Sequence, residues 1–237
     1  MNSSQHFDVL VFGAHPDDAE MAMGGTMIRL VDQGFSLKQV ILTPADMSTY
    51  GTPQSRVSEF KAACAAVGCS GEILDYKDTG VENTQEVRLR LARIIRQHTP
   101  AIVFAPFHSN PRGELGGVAN VDHYTTGAAV RDAVKMARLE KTVPDVPKHT
   151  VKKLYFFMLP RDVLPTLYVD ISDVMDRTMA AIRCYKSQMA INFIGNDIEH
   201  ALQTRRAARG LDIGARFAEA FTTELPLILE PEQFFRL

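Results

Sequence analysis

The chain has 237 residues, 46% of them apolar and 23% charged, which suits one soluble core of ordinary composition. A formal charge of -2 with no basic stripe gives no electrostatic ground for a nucleic-acid partner. Three cysteines (Cys64, Cys69, Cys184) without metal-ligand spacing argue against a disulfide framework and fit a reducing compartment.

The first residues carry no basic leader and only a strand-length apolar run. Neither a signal peptide nor a membrane span is expected from them, and cytoplasmic residence is the default expectation. Residues 7–12 (FDVLVF), punctuated by Gly13, read as a buried strand. Met21, Met23, Met27, Ile28, Leu30 and Val31 give a broad apolar helical face that ends near Gly34. Residues 40–42 read as a second strand, and 56–67 as a helix stopped by Gly68 at its C-terminal cap. Cys64 and Cys69, beside that helix end, read as small apolar filler.

Residues 72–74 suit a third strand. Asn83-Thr84-Gln85-Glu86 has the form of a capping box with Asn83 as the cap, opening a helix to about residue 98. Pro100 breaks that helix, and residues 101–105 (AIVFA) form a fourth buried strand. A polar, glycine-rich loop follows over 107–120, then a helix over 121–139. Residues 151–157 and 167–171 supply further strands. Strands alternating with amphipathic helices predict an α/β fold: a Rossmann-like parallel sheet flanked by helices. A single domain over 1–237 is expected, its C-terminal part richer in helix.

Directly after the first strand stand His15, Pro16, Asp17 and Asp18. In an open parallel sheet, ligands bind outside the carboxyl ends of the strands, where this segment lies. Pro16 stiffens the turn by fixing its own φ and biasing His15 away from helical geometry. His and Asp are ligand types that Zn²⁺ accepts, and a catalytic zinc needs three such ligands and an open position for water. Two successive carboxylates cannot easily point the same way, so one can ligate while the other stands beside the water as a base. The competing structural use of Asp17, Asp18 and Glu20 is as helix N-terminal charge, worth ~0.3–1 kcal/mol per group. A dinucleotide site would need G-x-G-x-x-G here, and Gly13-Ala14-His15-Pro16 lacks it. Gly24-Gly25 comes too late for a phosphate turn and reads as a close helix-sheet contact.

A third ligand has to come from another strand's loop. The loop after 101–105 holds His108, Asn120, Asp122 and His123, with Asp122 and His123 at a helix start that can project toward the same crevice. His123 is the stronger candidate and His108 the weaker, its alternative being a surface loop position.

These residues resemble the PIG-L/LmbE-type N-acetylglucosaminyl deacetylases, which include the bacillithiol- and mycothiol-pathway enzymes. The resemblance rests on VFGAHPDDAEMAMGGT and on Arg56 and Glu59 after Gly51-Thr52-Pro53. It extends to Asp122-His123-Tyr124, to Tyr185-Lys186-Ser187-Gln188 and to GARFAEAF over 214–221. It implies a zinc, or another divalent metal such as Fe²⁺, on His15, Asp18 and His123, with Asp17 as the general base. Arg56 matches an arginine that contacts the substrate sugar in relatives, and loop residues such as Asp46 would bind sugar hydroxyls. From the residues alone, Arg56 reads as a surface residue near a helix start, paired with Glu59 at i,i+3.

The family commonly has His-x-Asp-His at the second motif, whereas this chain has Asn120-Val121-Asp122-His123. That first His helps to stabilise the tetrahedral intermediate, oriented by the Asp, which falls here on Asp122. Asn120 can donate a hydrogen bond to an oxyanion but carries no charge. Tyr185 and His108 are the candidates to compensate; the structural alternative for Tyr185 is packing near Phe193. The resemblance implies hydrolysis of the N-acetyl group of a small N-acetylglucosamine-type sugar or glycoside, by a homo-oligomer (trimer or hexamer) without nucleic-acid or membrane partners. The alternatives are a metal-dependent amidase acting on a non-sugar acyl amide and a non-catalytic metal-binding homologue.

Overall fold

In a computed structural model that describes residues 5–114, 120–193 and 195–224, strand β1 (Val9–Gly13) is buried along its whole length. Val9 and Val11 face one apolar layer, Leu10 and Phe12 the other. An all-apolar run that divides with period two in this way belongs to a strand covered on both faces.

β1 is the middle of five parallel strands, with β2 (Leu37–Ile41) on one side and β4 (Ile102–Pro106) on the other. β3 (Ser70–Ile73) continues beyond β2, and β5 (Lys153–Phe157) beyond β4, giving the order β3-β2-β1-β4-β5. Helices α3 (Gln85–His98) and α4 (Val121–Ala137) pack on the Leu10/Phe12 face. Helices α1 (Asp18–Asp32), α5 (Met175–Ile182) and α6 (Ile198–Leu211) cover the Val9/Val11 face. Helix α2 (Pro53–Val67) closes a smaller apolar cluster with Ile41. The expected α/β architecture is the one observed, and no helix among the described residues is long and apolar enough to cross a membrane.

Several expected details differ. The helix expected to open at Asn83 is capped by Thr84, whose hydroxyl accepts from Val87 N at 3.3 Å. Both residues are good caps, but the Asn83 amide is used elsewhere, donating to Asp132 Oδ2 and accepting from Arg88 Nη1. The strand expected at 167–171, β6 (Leu167–Asp170), stays outside the parallel sheet and pairs antiparallel with β9 (Ala218–Phe221). A small hairpin joins β7 (Asn192–Phe193) to β8 (Asn196–Asp197). Gly24-Gly25 serves a close contact, but not with the sheet. A Cβ on Gly25 would lie 2.7 Å from Ile171 Cγ2, so the pair lets α1 approach the segment leading into α5. Gly68 stands at the end of α2 with φ 85°, as expected of a left-handed cap.

One glycine sets the position of the functional end of the sheet. A Cβ on Gly127 would stand 2.2 Å from the Pro106 carbonyl oxygen, so α4 can lie against the backbone at the end of β4 only without one. His123 is one helical turn earlier on that face of α4.

Candidate metal centre

The chain reverses its strand order at β1 and β4, and the crevice at such a switch point is where open α/β sheets bind ligands. His15, Asp17 and Asp18 enter it from β1, and His123 enters from the first turn of α4. Asp18 is fixed by accepting two backbone N–H groups on Oδ2, from Ala14 at 2.8 Å and His15 at 2.9 Å. Its other oxygen faces the two imidazoles.

His15 Nδ1 lies 3.2 Å from His123 Nε2, His123 Nε2 lies 3.1 Å from Asp18 Oδ1, and His15 Nδ1 lies 3.8 Å from Asp18 Oδ1. Three lone-pair atoms of buried side chains thus face one another across a space of ionic size. Tetrahedral coordination with zinc bonds of about 2.0–2.1 Å would set ligand atoms ~3.3–3.4 Å apart. The three separations bracket that value, so His15, Asp18 and His123 fit a metal ion as they stand. The electrostatics agree. Burial would raise the Asp18 pKa, but the rings of His123 and His15 hold it well below the usual carboxylate range. Burial would lower that of His15, but Asp122, Asp18 and Asp78 around the ring push it up to about 12. A centre that draws a second proton onto an imidazole this strongly is one that attracts a cation.

Asp17 precedes α1 with φ 109°, outside the left-handed region that non-glycine residues tolerate. Such strain persists where the surroundings over-determine it, and Asp17 is held from the side. Arg56 Nη2 donates to Asp17 Oδ2 at 3.0 Å and also to the Pro16 carbonyl oxygen. Burial pushes the Asp17 carboxyl up to about 6 against the pull of Arg56. A carboxylate that protonates this near neutrality is suited to general acid-base work.

The surface reading of Arg56 is overturned: it is 2% exposed. The expected partner Glu59 is 3.8 Å away, and its carboxylate accepts from Ser187 N at 2.8 Å and Ser187 Oγ at 2.7 Å. Burial follows because α2 packs its first turn over the Pro16-Asp17 turn instead of projecting from the sheet edge. Arg56 Nε and Nη1 are buried without hydrogen-bond partners among the described residues. Tyr185 lies under the guanidinium, its ring centroid 5.5 Å away, among Ile41, Phe60, Ala63 and Cys64. The hydroxyl is buried and makes no hydrogen bond within the described residues. The side chain of Phe193, its expected neighbour, lies outside them.

Asn120 is the N-cap of α4: Oδ1 accepts from Asp122 N at 2.8 Å, which leaves the amide nitrogen for other partners. Asp122 is fully buried and accepts from Thr79 N at 2.7 Å and Val81 N at 3.2 Å. His108 is stacked on Phe107, set edge-on to Phe156 and placed 2.6 Å from Glu224 Oε1, a set of contacts that does not include the three ligand atoms. Asp46 is exposed and accepts from Asp78 N at 3.1 Å. Of the loop expected over 107–120, residues 115–119 lie outside the described residues.

Asp78 is the residue that the sequence did not single out. Its Oδ1 stands 3.1 Å from His15 Nε2, and Asp122 Oδ2 stands 3.4 Å from the same nitrogen. The available signal was topological: the loop after β3 opens on the same edge as those after β1 and β4.

The pattern of the GlcNAc-PI de-N-acetylase (PIG-L) family matches residues 10–134, which include His15, Asp18 and His123. A diacetylchitobiose deacetylase of Thermococcus kodakarensis is 30% identical, with 89% of this chain and 80% of that one covered. The structure of an N,N'-diacetylchitobiose deacetylase from Pyrococcus horikoshii superposes with a TM-score of 0.79 at 27% identity, covering 96% of this chain and 85% of that one. A 4-oxalmesaconate hydratase of Pseudomonas putida is 24% identical, over 79% of this chain and 76% of its own. The chain belongs to the PIG-L family of deacetylases.

Proposed function

We propose that this protein hydrolyses the N-acetyl group of an N-acetylglucosamine-type sugar or glycoside, with a divalent metal, zinc in the first place, held by His15, Asp18 and His123. The observation that carries the reading is the convergence of those three ligand atoms beside an Asp17 carboxylate oriented by Arg56. The activity of the diacetylchitobiose deacetylases it resembles supports an amino-sugar substrate.

When bound, the metal supplies Lewis acidity to the acetamide carbonyl and lowers the pKa of the attacking water. Asp17 takes the proton of that water and returns it to the leaving amine, so one residue serves both halves of the reaction. Arg56 holds Asp17 in place, and by the family likeness its guanidinium also contacts the substrate sugar. Asn120 offers its amide N–H groups toward the developing oxyanion. By the same family likeness the enzyme is self-associated, as a trimer or hexamer, and its sparse free cysteines suit a reducing, cytoplasmic compartment.

The test is acetate release from N-acetylglucosamine, N,N'-diacetylchitobiose and simple acyl amides, before and after chelation and with zinc or Fe²⁺ returned. Metal-restorable release from the sugars, reduced ~10²–10⁴-fold in Asp17→Asn, is the expected result. Release from acyl amides alone would move the substrate class away from sugars. No metal-restorable release from any N-acetyl compound would sink the reading, and the hydratase relative would then supply the next reaction to assay.

A further inference from the structure

A metal-binding imidazole has two nitrogens, and whatever holds the second decides which way the first one points. His15 directs Nδ1 at His123 Nε2 and Asp18 Oδ1, while Nε2 faces two carboxylates. We propose that Asp78, with Asp122 as the secondary acceptor, is the positioning residue of His15, fixing its proton on Nε2 and thereby tying metal affinity to the loops at the mouth of the crevice.

The two acceptors are not equivalent. Asp122 lies farther from Nε2, at 3.4 Å, and both of its oxygens are engaged by backbone N–H groups of Thr79 and Val81. Asp78 lies closer, at 3.1 Å, and its Oδ1 faces the ring while Oδ2 accepts from Met47 N. An anionic acceptor on Nε2–H selects the tautomer with a lone pair on Nδ1, and it raises the basicity of that lone pair.

Asp78 is also held at its side chain and at its backbone by the loop after β2. Met47 N reaches the carboxylate at 3.1 Å, and Asp46 Oδ1 accepts from Asp78 N at 3.1 Å. Asp122 grips the 78–81 turn from α4 through Thr79 N and Val81 N, and Thr79 takes φ 65° within that turn. His15 therefore sits at the meeting point of three loops that approach from β2, β3 and β4.

A rival arrangement uses the same atoms. His15, Asp78 and Asp122 each offer a ligand atom within 4.8 Å of the others, so a second ion could share His15 with the first. The backbone donors already on both carboxylates, and the hydrogen-bond length of the Nε2 contacts, favour the proton over the ion.

The inference rests on the proposed metal centre, and its test separates the two. Zinc content and zinc affinity, by competition with a chromophoric chelator, are compared for the wild type, Asp78→Asn, Asp78→Ala and Asp75→Ala. Asp75 lies in the same loop but is paired with Arg90. One zinc per chain is expected, with affinity about 10–100-fold weaker in Asp78→Ala, less so in Asp78→Asn and unchanged in Asp75→Ala. Nitrogen NMR of zinc-loaded wild type should show His15 protonated at Nε2, a readout that does not depend on any variant folding. Wild-type affinity in folded Asp78→Ala, with only KM for the sugar raised, would place Asp78 on the substrate and overturn the inference alone. Two zinc ions per chain in the wild type, falling to one in Asp78→Ala, would also overturn it. A wild type that binds no zinc would remove the metal centre itself and the inference with it.

Discussion

Asn120 stands where the resemblance implied a histidine, and its side chain carries two separable groups, one seen in use and one proposed. The side-chain oxygen caps α4 by accepting from Asp122 N, whereas the side-chain nitrogen is the donor proposed for the oxyanion. Asn120→Ala removes both and should cost about 0.5–2 kcal/mol of stability as a lost cap. Asn120→Asp keeps an acceptor, adds favourable charge at a helix N-terminus and deletes only the donor. Melting and turnover should therefore come apart: Asn120→Asp should melt with the wild type, and its kcat should fall by up to ~10²–10³. Full turnover in Asn120→Asp would leave the amide as a cap and nothing more. The HPDD segment was legible because three side chains able to ligate or move a proton fall within four residues just after a strand. Asp78 was not, since one aspartate in a turn has the same appearance whether it faces solvent or an imidazole. Arg56 was misread from its residues alone for a related reason. Its position near a helix start says nothing of which neighbour that turn lies on, and only the family resemblance assigned it to the site.

Helix α3 carries two residues whose partners leave no mark in sequence. Arg96 is 2% exposed, and its hydrogen bonds among the described residues go to carbonyl oxygens of Ala137, Leu139, Val143 and Val146 and to Thr142 Oγ1. Carbonyl groups give a sequence no chemical signal, so this clasp on residues 137–146 could not be foreseen. Arg96→Met strands several buried acceptors at about 1–3 kcal/mol each, not additively, and a loss of at least ~3 kcal/mol in denaturant melts is expected. His98 closes the same helix. Its Nδ1 is 2.8 Å from the Gln5 carbonyl oxygen and its Nε2 is 3.2 Å from Lys38 Nζ, so the ring serves as donor at one edge and acceptor at the other. Burial, helped by Lys38 and opposed by the Gln5 carbonyl, holds its pKa below the ordinary 6.5. The folded state thus binds this proton less readily than the unfolded one. The contribution is fully present above the unfolded pKa and is lost as pH falls from about 6.5 toward the lower folded value. Stability measured between pH 7.5 and 5 should fall less steeply in His98→Gln than in the wild type. Equal slopes would remove His98 from the account.

Across the whole molecule, the proposed metal centre joins segments far apart in the chain. His15 and Asp18 leave β1, while His123 arrives on α4 after three further strands and three helices. The parallel sheet was readable from the alternation of apolar runs and amphipathic helices, and that reading placed both motifs at one sheet edge. The end of the chain was less readable, because its anchoring is polar. Glu219 on β9 is buried and accepts from Gly25 N, Thr26 N, Thr26 Oγ1 and Arg206, linking β9, α1 and α6 through one carboxylate. That clasp holds α1, whose first turn carries Asp18, against the last elements described. The ligand atoms already stand near coordination spacing, so metal binding should add stability without remodelling the fold. A ligand that binds only the folded state at 100 times its Kd contributes ~2.7 kcal/mol. For a chain of this size that corresponds to a rise of about 5–11 °C in Tm. Zinc should produce that shift and chelator should reverse it, with an unchanged far-ultraviolet spectrum. His123→Ala should melt within a few degrees of the metal-free wild type yet lose the shift, because the β1 ligands alone leave one corner of the centre open. A zinc-dependent rise that survives in His123→Ala would mean that the metal does not bridge β1 and α4, and the assignment of the third ligand would fail.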